Sequence, residues 1–411
     1  MPHAKRHSDG TVYVSVLATT VLVGIIAIAA VGMTRAQGRS ARLDSDWSTA
    51  QLQAQNAIEG GLYLIHTNEN WRDMLDSYNG TLGFYIGSSI ATVVITDPAD
   101  GDIANSPDDD VLLTATGTKG AARHKTQVTL EVIHEPLEAL ATCLHAGGNV
   151  TVYFGCILDV DGAPLSTNAT LTVSGGVFGD VGAASIINLG WISGTETVPA
   201  PAKDLPDPEV AQEYQDLAET IPYVSIMETF VLTPMLNPWG AASPDGVYVI
   251  DTGGQNLVIK GARIRGTLII RTHGGEVTIQ DAVFMRPFRV DYPTLIVDGD
   301  LVLKLKSDTD LLDEADWGVN FNPPGAPYLG GSDTDTDDTY PNELRGLIHV
   351  TGNLSLESYT HVNGVIICEG AATIKDSPII VHDPSLVTNP PEGYTTRKMQ
   401  IAPGSWRQAV D

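Results

Sequence analysis

The sequence predicts an α+β chain, mainly β: a long N-terminal transmembrane and amphipathic helix, a small antiparallel sheet, then a right-handed parallel β-helix-like domain. Three observations carry this. Residues 11–33 are uncharged, residues 34–65 hold no proline and place small or apolar side chains at three- and four-residue steps, and from Leu144 onward a short apolar unit centred on glycine recurs. Composition agrees with the β-rich part. Glycine supplies 41 of 411 residues, above the usual share of about 7%, as a chain with many turns requires.

Charge excludes one class of partner. Acidic residues outnumber basic ones 50 to 23, for a formal charge of -27, and only 18% of residues are charged. Such a field repels phosphates, so no nucleic-acid partner is expected, and divalent cations become plausible ones. The three cysteines, Cys143, Cys156 and Cys368, allow at most one bridge. A Cys143–Cys156 bridge and buried free thiols are equally open readings, and Cys368 lies in an apolar run that suits a core.

The first element is a membrane anchor. Lys5 and Arg6 precede the uncharged run, whose 23 residues at about 1.5 Å each give about 34 Å of helix against a hydrocarbon core of about 30 Å. Ala27, Ile28 and Ala29 supply an A-x-A pattern, so a cleavable secretory signal is the competitor, but signal cores usually run about 7 to 15 residues. Basic residues on the short side predict a cytoplasmic N-terminus and an exported head, although Arg35, Arg39 and Arg42 weaken that asymmetry. Beyond the span, Leu43, Trp47, Ala50, Ala54 and Ala57 continue on one narrow face, which predicts one helix to about residue 73.

A short basic leader ending in Gly10, an uncharged helix, and the stretch Gln55, Asn56, Ala57, Ile58, Glu59, Gly60, Gly61, Leu62 together resemble the PilX-type minor pilins and the large minor pseudopilin of type II secretion systems. The resemblance covers about the first 65 residues. It implies a leader cut by prepilin peptidase between Gly10 and Thr11, and a stem in which Leu43, Trp47, Ala50, Ala54 and Glu59 pack into a filament of other pilin or pseudopilin subunits. Thr11 and Ser15 stand where most pilins have an aromatic or methionine residue and a glutamate. A carboxylate in a bilayer is costly unless paired with a neighbour, so a subunit lacking it suits a filament tip. The location implied is the inner membrane, single-pass, and then a cell-surface or periplasmic filament.

The remaining boundaries come from pattern. Residues 1–10 read as leader, 11–75 as transmembrane and stem helix, 76–138 as a small pilin-like β region, 139–384 as the head, and 385–411 as a C-terminal tail laid over the last coils with Trp406 as a plug. In the head, Gly148, Gly299, Gly352 and Gly370 align in an apolar-x-Gly-x-apolar-x-apolar unit. Stacked coils of a parallel β-helix explain it, with a jelly roll or other sandwich as the alternative. Two insertions interrupt the units. Residues 198–245 are proline-rich with a short helix at 208–221, and residues 307–342 end in alternating carboxylates.

Those carboxylates, Asp333, Asp335 and Asp337 with Asp338, could wrap one hard cation, calcium being the cation of that chemistry, while a solvated acidic loop is the other reading. No other cofactor is expected. Asp338 occupies the place of the glycine an EF-hand needs, which excludes that motif. A polysaccharide-cleaving β-helix enzyme, tethered or exported, is the functional alternative, and Asp251, Asp281, Arg263, Arg265, Arg271, Lys304 and His349 are what it could recruit. They follow no repeating spacing, and no nucleophile, zinc or nucleotide motif is present. The expectation is therefore a structural protein of filament assembly or adhesion and not an enzyme.

Overall fold

The computed structural model describes residues 9–68, 70–86, 89–307 and 309–409. It divides into two units, one of residues 1–133 and 397–411 and the other of residues 134–396. The expected leader lies largely outside the described residues, since these begin at Asp9.

In the first unit, helix α1 (Asp9–Thr67) runs for 59 residues, about 88 Å at 1.5 Å per residue. It ends short of the expected residue 73. The chain leaves the helix after Thr67 and forms a separate short helix, α2 (Trp71–Asp76), where Asn68 accepts from the Asn70 N–H at 3.0 Å and offers the backbone an alternative to the helical ladder. Strands β1 (Thr81–Ile86), β2 (Ser89–Thr96), β3 (Val111–Lys119) and β4 (Ala122–Pro136) then pair antiparallel in chain order. Their inward positions alternate strictly: Val111, Leu113 and Ala115 on β3 and Val128 and Leu130 on β4 are fully buried, as a sheet covered on one face requires. The C-terminal half of α1 covers them through Ala54, Ala57, Ile58 and Ile65.

The C-terminal residues correct an expectation. Rather than lying over the last coils, the strands Thr395–Ile401 and Arg407–Ala409 pair with β4. Trp406, cast as a plug, is 42% exposed. Ser405 Oγ accepts from the Thr129 N–H at 3.2 Å, and Arg397 Nε donates to Asp108 at 2.7 Å, so polar contacts fix this return.

In the second unit a large sheet of parallel strands holds the main core. The glycine units align as the sequence spacing predicts. Leu301, Leu354, Ala372 and Val150 stand in one register row, and Leu303, Leu356, Ile374 and Val152 in the next inward one. Between the units, Gly352 N–H donates to Gly299 O at 3.0 Å, Gly370 N–H to Gly352 O at 3.0 Å, and Gly148 N–H to Gly370 O at 2.9 Å. The residue after the glycine also reaches across: Asn353 Oδ1 accepts from the Ala371 N–H at 3.1 Å, and Asn149 Oδ1 from the Thr170 N–H at 3.1 Å.

Spatial order departs from chain order. Leu144–Ala146 lies between His361–Cys368 on one side and Leu165–Val173 on the other. The first repeat is thus inserted between the last repeat and the second. The segment containing helix Val210–Asp216 connects the run of strands ending at Glu196–Thr197 to the opposite end of the stack, where Glu219–Ile221 pairs with Val247–Asp251. The expected helix at 208–221 is therefore shorter, and its last residues are strand. All three cysteines are buried and free, which leaves the Cys143–Cys156 bridge unformed.

Candidate functional site

The apolar half of α1 and the acidic loop of residues 307–342 could do chemistry or assembly. In α1, side chains from Val12 to Met33 are exposed around the whole circumference, Tyr13 at 80% and Ile28 at 76%. The helix is long and apolar enough to cross a membrane, a property that a signal sequence shares. Its few polar side chains satisfy themselves locally. Thr19 and Thr20 donate to the carbonyls of Ser15 and Val16 at 2.9 and 2.7 Å.

The stem residues fall into two groups. Ala50 and Ala54 are fully buried against the chain's own sheet, where Gly117 of β3 admits the helix backbone. Leu43 is 58% exposed and Glu59 also faces solvent, while Trp47 lies edge-on to His124 with ring centroids 5.4 Å apart. Gly10 and Thr11 are helical in backbone.

In the acidic loop, Asp313 caps the short helix Glu314–Trp317 by accepting from the Ala315 N–H at 2.8 Å. That cap turns Glu314 inward, where it is fully buried. Glu314 accepts from the Phe321 N–H, from Tyr340 Oη at 2.9 Å and from the Asp338 N–H at 3.2 Å. Carboxylate oxygens of Glu314, Asp333 and Asp335 lie within 4.8 Å of one another, an arrangement that could coordinate a metal ion. Of the sequence candidates, Asp333 and Asp335 converge here. Asp338 shares the Asn322 amide with Asp333, at 2.8 and 3.0 Å. Asp337 hydrogen-bonds Asp335, and this contact first, then burial and the Asp333 charge, raises the Asp335 pKa. Glu314 escaped sequence reasoning because only the fold turns it inward. Asp313, a capping residue directly before it, is the signal that could have found it.

Beside this cluster, Asn322 Oδ1 is buried with no protein partner while its Nδ2 bridges two carboxylates. Beneath the loop, Arg263 is buried and donates to the carbonyls of Phe321 and Ala326. Burial pushes its pKa down to about 10. Arg263 is thus a clamp for the insertion.

The residues an enzyme would need do not converge. Along the sheet Asp251 stands beside Arg271, and Arg271 beside Asp298, so charges alternate instead of forming a carboxylate array. Lys304 and Lys375 both approach Glu357, at 3.9 and 2.9 Å. His349 is buried between Tyr394 Oη and Glu369, each at 3.0 Å.

Neither a family model nor a curated protein matches the sequence. Among solved structures, the competence-associated pilin ComZ from Thermus thermophilus is similar at 12% identity and a TM-score of 0.29, over 88% of this chain and 98% of that one. An ice-binding protein domain from Shewanella frigidimarina is similar at 12% identity and a TM-score of 0.25, over 60% and 97% of the two chains. An ice-binding protein from the Antarctic ascomycete Antarctomyces psychrotrophicus is similar at 11%, with a TM-score of 0.23, over 60% and 96%. Likenesses this weak do not define what the chain does.

Proposed function

We propose that the chain is a membrane-anchored, pilin-like structural subunit, a minor or tip subunit of a type IV pilus or a type II secretion pseudopilus. In this reading residues 134–396 form a right-handed parallel β-helix exposed for filament assembly or surface adhesion. The observation that carries it is the division of labour along α1. Its first half is apolar and uncovered on every side, whereas its second half is fixed to a sheet through a small-residue face. Burying each large apolar side chain is worth about 1.5–3 kcal/mol, so the uncovered half demands a lipid or helical environment. Prepilin peptidase would release it at Thr11, and Leu43, Trp47 and Glu59 would be the stem surface open to neighbouring subunits, with Ala50 and Ala54 holding the sheet on the stem. The mature N-terminus tests this reading and is expected at Thr11. The β-helix reading of the head is supported by parallel pairing of each glycine unit with the next.

In the head we place a calcium ion among Glu314, Asp333 and Asp335, with Asp337 and Asp338 adjoining. Half a turn of the Asn322 amide would aim its unpartnered oxygen at the same carboxylates, giving the all-oxygen set a hard cation takes. Calcium at about a hundred times its dissociation constant should stabilise the folded chain by about 2.7 kcal/mol, read as a rise in melting temperature that Asp333→Asn with Asp335→Asn removes. The raised pKa of Asp335 means that the folded chain holds this one proton more tightly than the unfolded chain, so without cation this group's own contribution to stability falls as pH rises through the carboxylate range. Calcium competes with that proton, so its affinity should fall as pH drops through the same range.

A further inference from the structure

Three arginines stand side by side on the outward face of the second unit. Arg265 is the register partner of Arg286. Phe284 and Met285 are partners of Glu343 and Leu344, which puts Arg345 beside Arg286 in turn. The preceding residue on each strand, Ile264, Met285 and Leu344, belongs to the core, and strand alternation therefore turns all three arginines outward. Adjacent strands lie about 4.8 Å apart, so the row is about 10 Å long. Arg265 and Arg286 are half-buried and Arg345 is exposed.

A row of positive charge runs against the rest of the chain, whose formal charge is -27. Elsewhere in the sheet charges alternate, as where Arg271 sits between Asp251 and Asp298. Here Arg345 Nε donates to Glu343 Oε1 at 2.5 Å, and that carboxylate also lies 3.7 Å from His361 Nδ1. Among the described residues, the Arg265 and Arg286 guanidiniums have no ion pair and no hydrogen bond. Burial, then the Arg265 charge and behind it the Arg345 charge, push the Arg286 pKa down. Aromatic rings hold these groups in place without using their donors. Arg286 lies over Phe284 and Tyr328 at 5.8 and 5.6 Å, Arg345 over Phe284 at 5.7 Å, and Arg265 over Phe288 at 5.0 Å. A ring engages a guanidinium from above, whereas its five N–H donors lie in a rigid fork at the edge. The row thus presents fixed, unused donors whose mutual repulsion an anion relieves.

Arginine forks match carboxylates and phosphates alike. Carboxylate is the better fit here. The pair of Arg345 and Glu343 already shows that chemistry within the row, and the acidic field of the chain opposes a doubly charged group more than a singly charged one. We infer that Arg265, Arg286 and Arg345 bind a ligand presenting two or more carboxylates about one strand spacing apart. A free dicarboxylate and an acidic peptide segment both offer that chemistry. The inference does not depend on the filament reading.

Isothermal titration calorimetry tests it, using the full chain in dodecyl maltoside micelles, which carry no charge, in Tris buffer of low ionic strength, with glutarate, a tetraglutamate peptide, acetate and inorganic phosphate as probes. The expected result is that glutarate or the peptide binds at least tenfold more tightly than acetate and phosphate. Arg265→Gln and Arg286→Gln should each weaken that binding at least fivefold, and Arg271→Gln should leave it unchanged. Tighter binding of glutarate would identify a small free anion as the ligand, and tighter binding of the peptide an acidic segment of a partner protein. Arg345→Gln, at the exposed end of the row, keeps the test open if the half-buried variants fail to fold. No binding of glutarate or peptide, phosphate binding as tightly as either, or affinity unchanged in the row variants overturns the inference.

Discussion

Replacing Gly370 by valine is expected to destabilise the parallel-strand unit by about 3 kcal/mol, at the upper end of the usual overpacking cost. The reason is the ladder of Gly299, Gly352, Gly370 and Gly148. A Cβ on Gly370 would meet the carbonyl oxygen of Gly352, and a Cβ on Gly148 would lie 2.9 Å from the carbonyl of Gly370. Both obstacles are backbone, itself held by hydrogen bonds of 2.9–3.0 Å to the next unit, so neither can rotate away as a side chain would. Gly240→Ala is the control. Its Cβ would find only the Asn237 amide nitrogen, at 3.9 Å, and its effect should stay within about 0.5 kcal/mol. Thermal denaturation followed by circular dichroism checks both. Equal melting temperatures for the Gly370 variant and the native chain would refute the ladder as a determinant of the fold.

A second large effect is expected at Gly117→Val, this time in the first unit. Its Cβ would strike the Ala50 carbonyl and approach the Ala54 nitrogen to 2.7 Å, so valine would wedge α1 off β3. Separation would break the 3.2 Å hydrogen bond from the Thr118 N–H to Gln53 Oε1 and uncover Ala54, Ala57 and Ile58. We expect a cost of about 3 kcal/mol, seen as faster hydrogen exchange over residues 50–65 and strands β2 and β3. Trp47 fluorescence should shift as well, because its ring leaves His124. Native exchange rates in this variant would mean that the sheet does not depend on the small-residue face of the stem.

Legibility in the sequence differs by element. The long apolar helix was readable because residues 11–33 are uncharged and free of proline, and its packed continuation because Ala50, Ala54 and Ala57 repeat at helical spacing. Register within the head was readable too, since Gly352 and Gly370 are 18 residues apart in sequence and stack directly in space. Order was not. Each unit carries the same apolar-glycine signature, so nothing in Leu144 or Val150 specifies Ile366 and Ala372 as neighbours on one side and Leu165 and Leu171 on the other. The C-terminal strands were hidden too. Pro390, Pro391 and Pro403 make the C-terminal run read as a tail laid over the last coils, and only pairing to β4 reveals Thr395–Ile401 as sheet.

At the acidic loop, sequence showed Asp333 and Asp335 as candidates through their alternation, but it could not show that Glu314, some twenty residues earlier, would be turned inward by the Asp313 cap.

The reading as a filament subunit stands or falls on how α1 begins. Mass spectrometry of the protein recovered from membranes and from sheared filaments would give its mature N-terminus. A chain starting at Thr11, and methylated there, is the predicted result, because it records passage through prepilin peptidase. A chain starting at Met1, or one starting near Ala30 after signal cleavage, would contradict it.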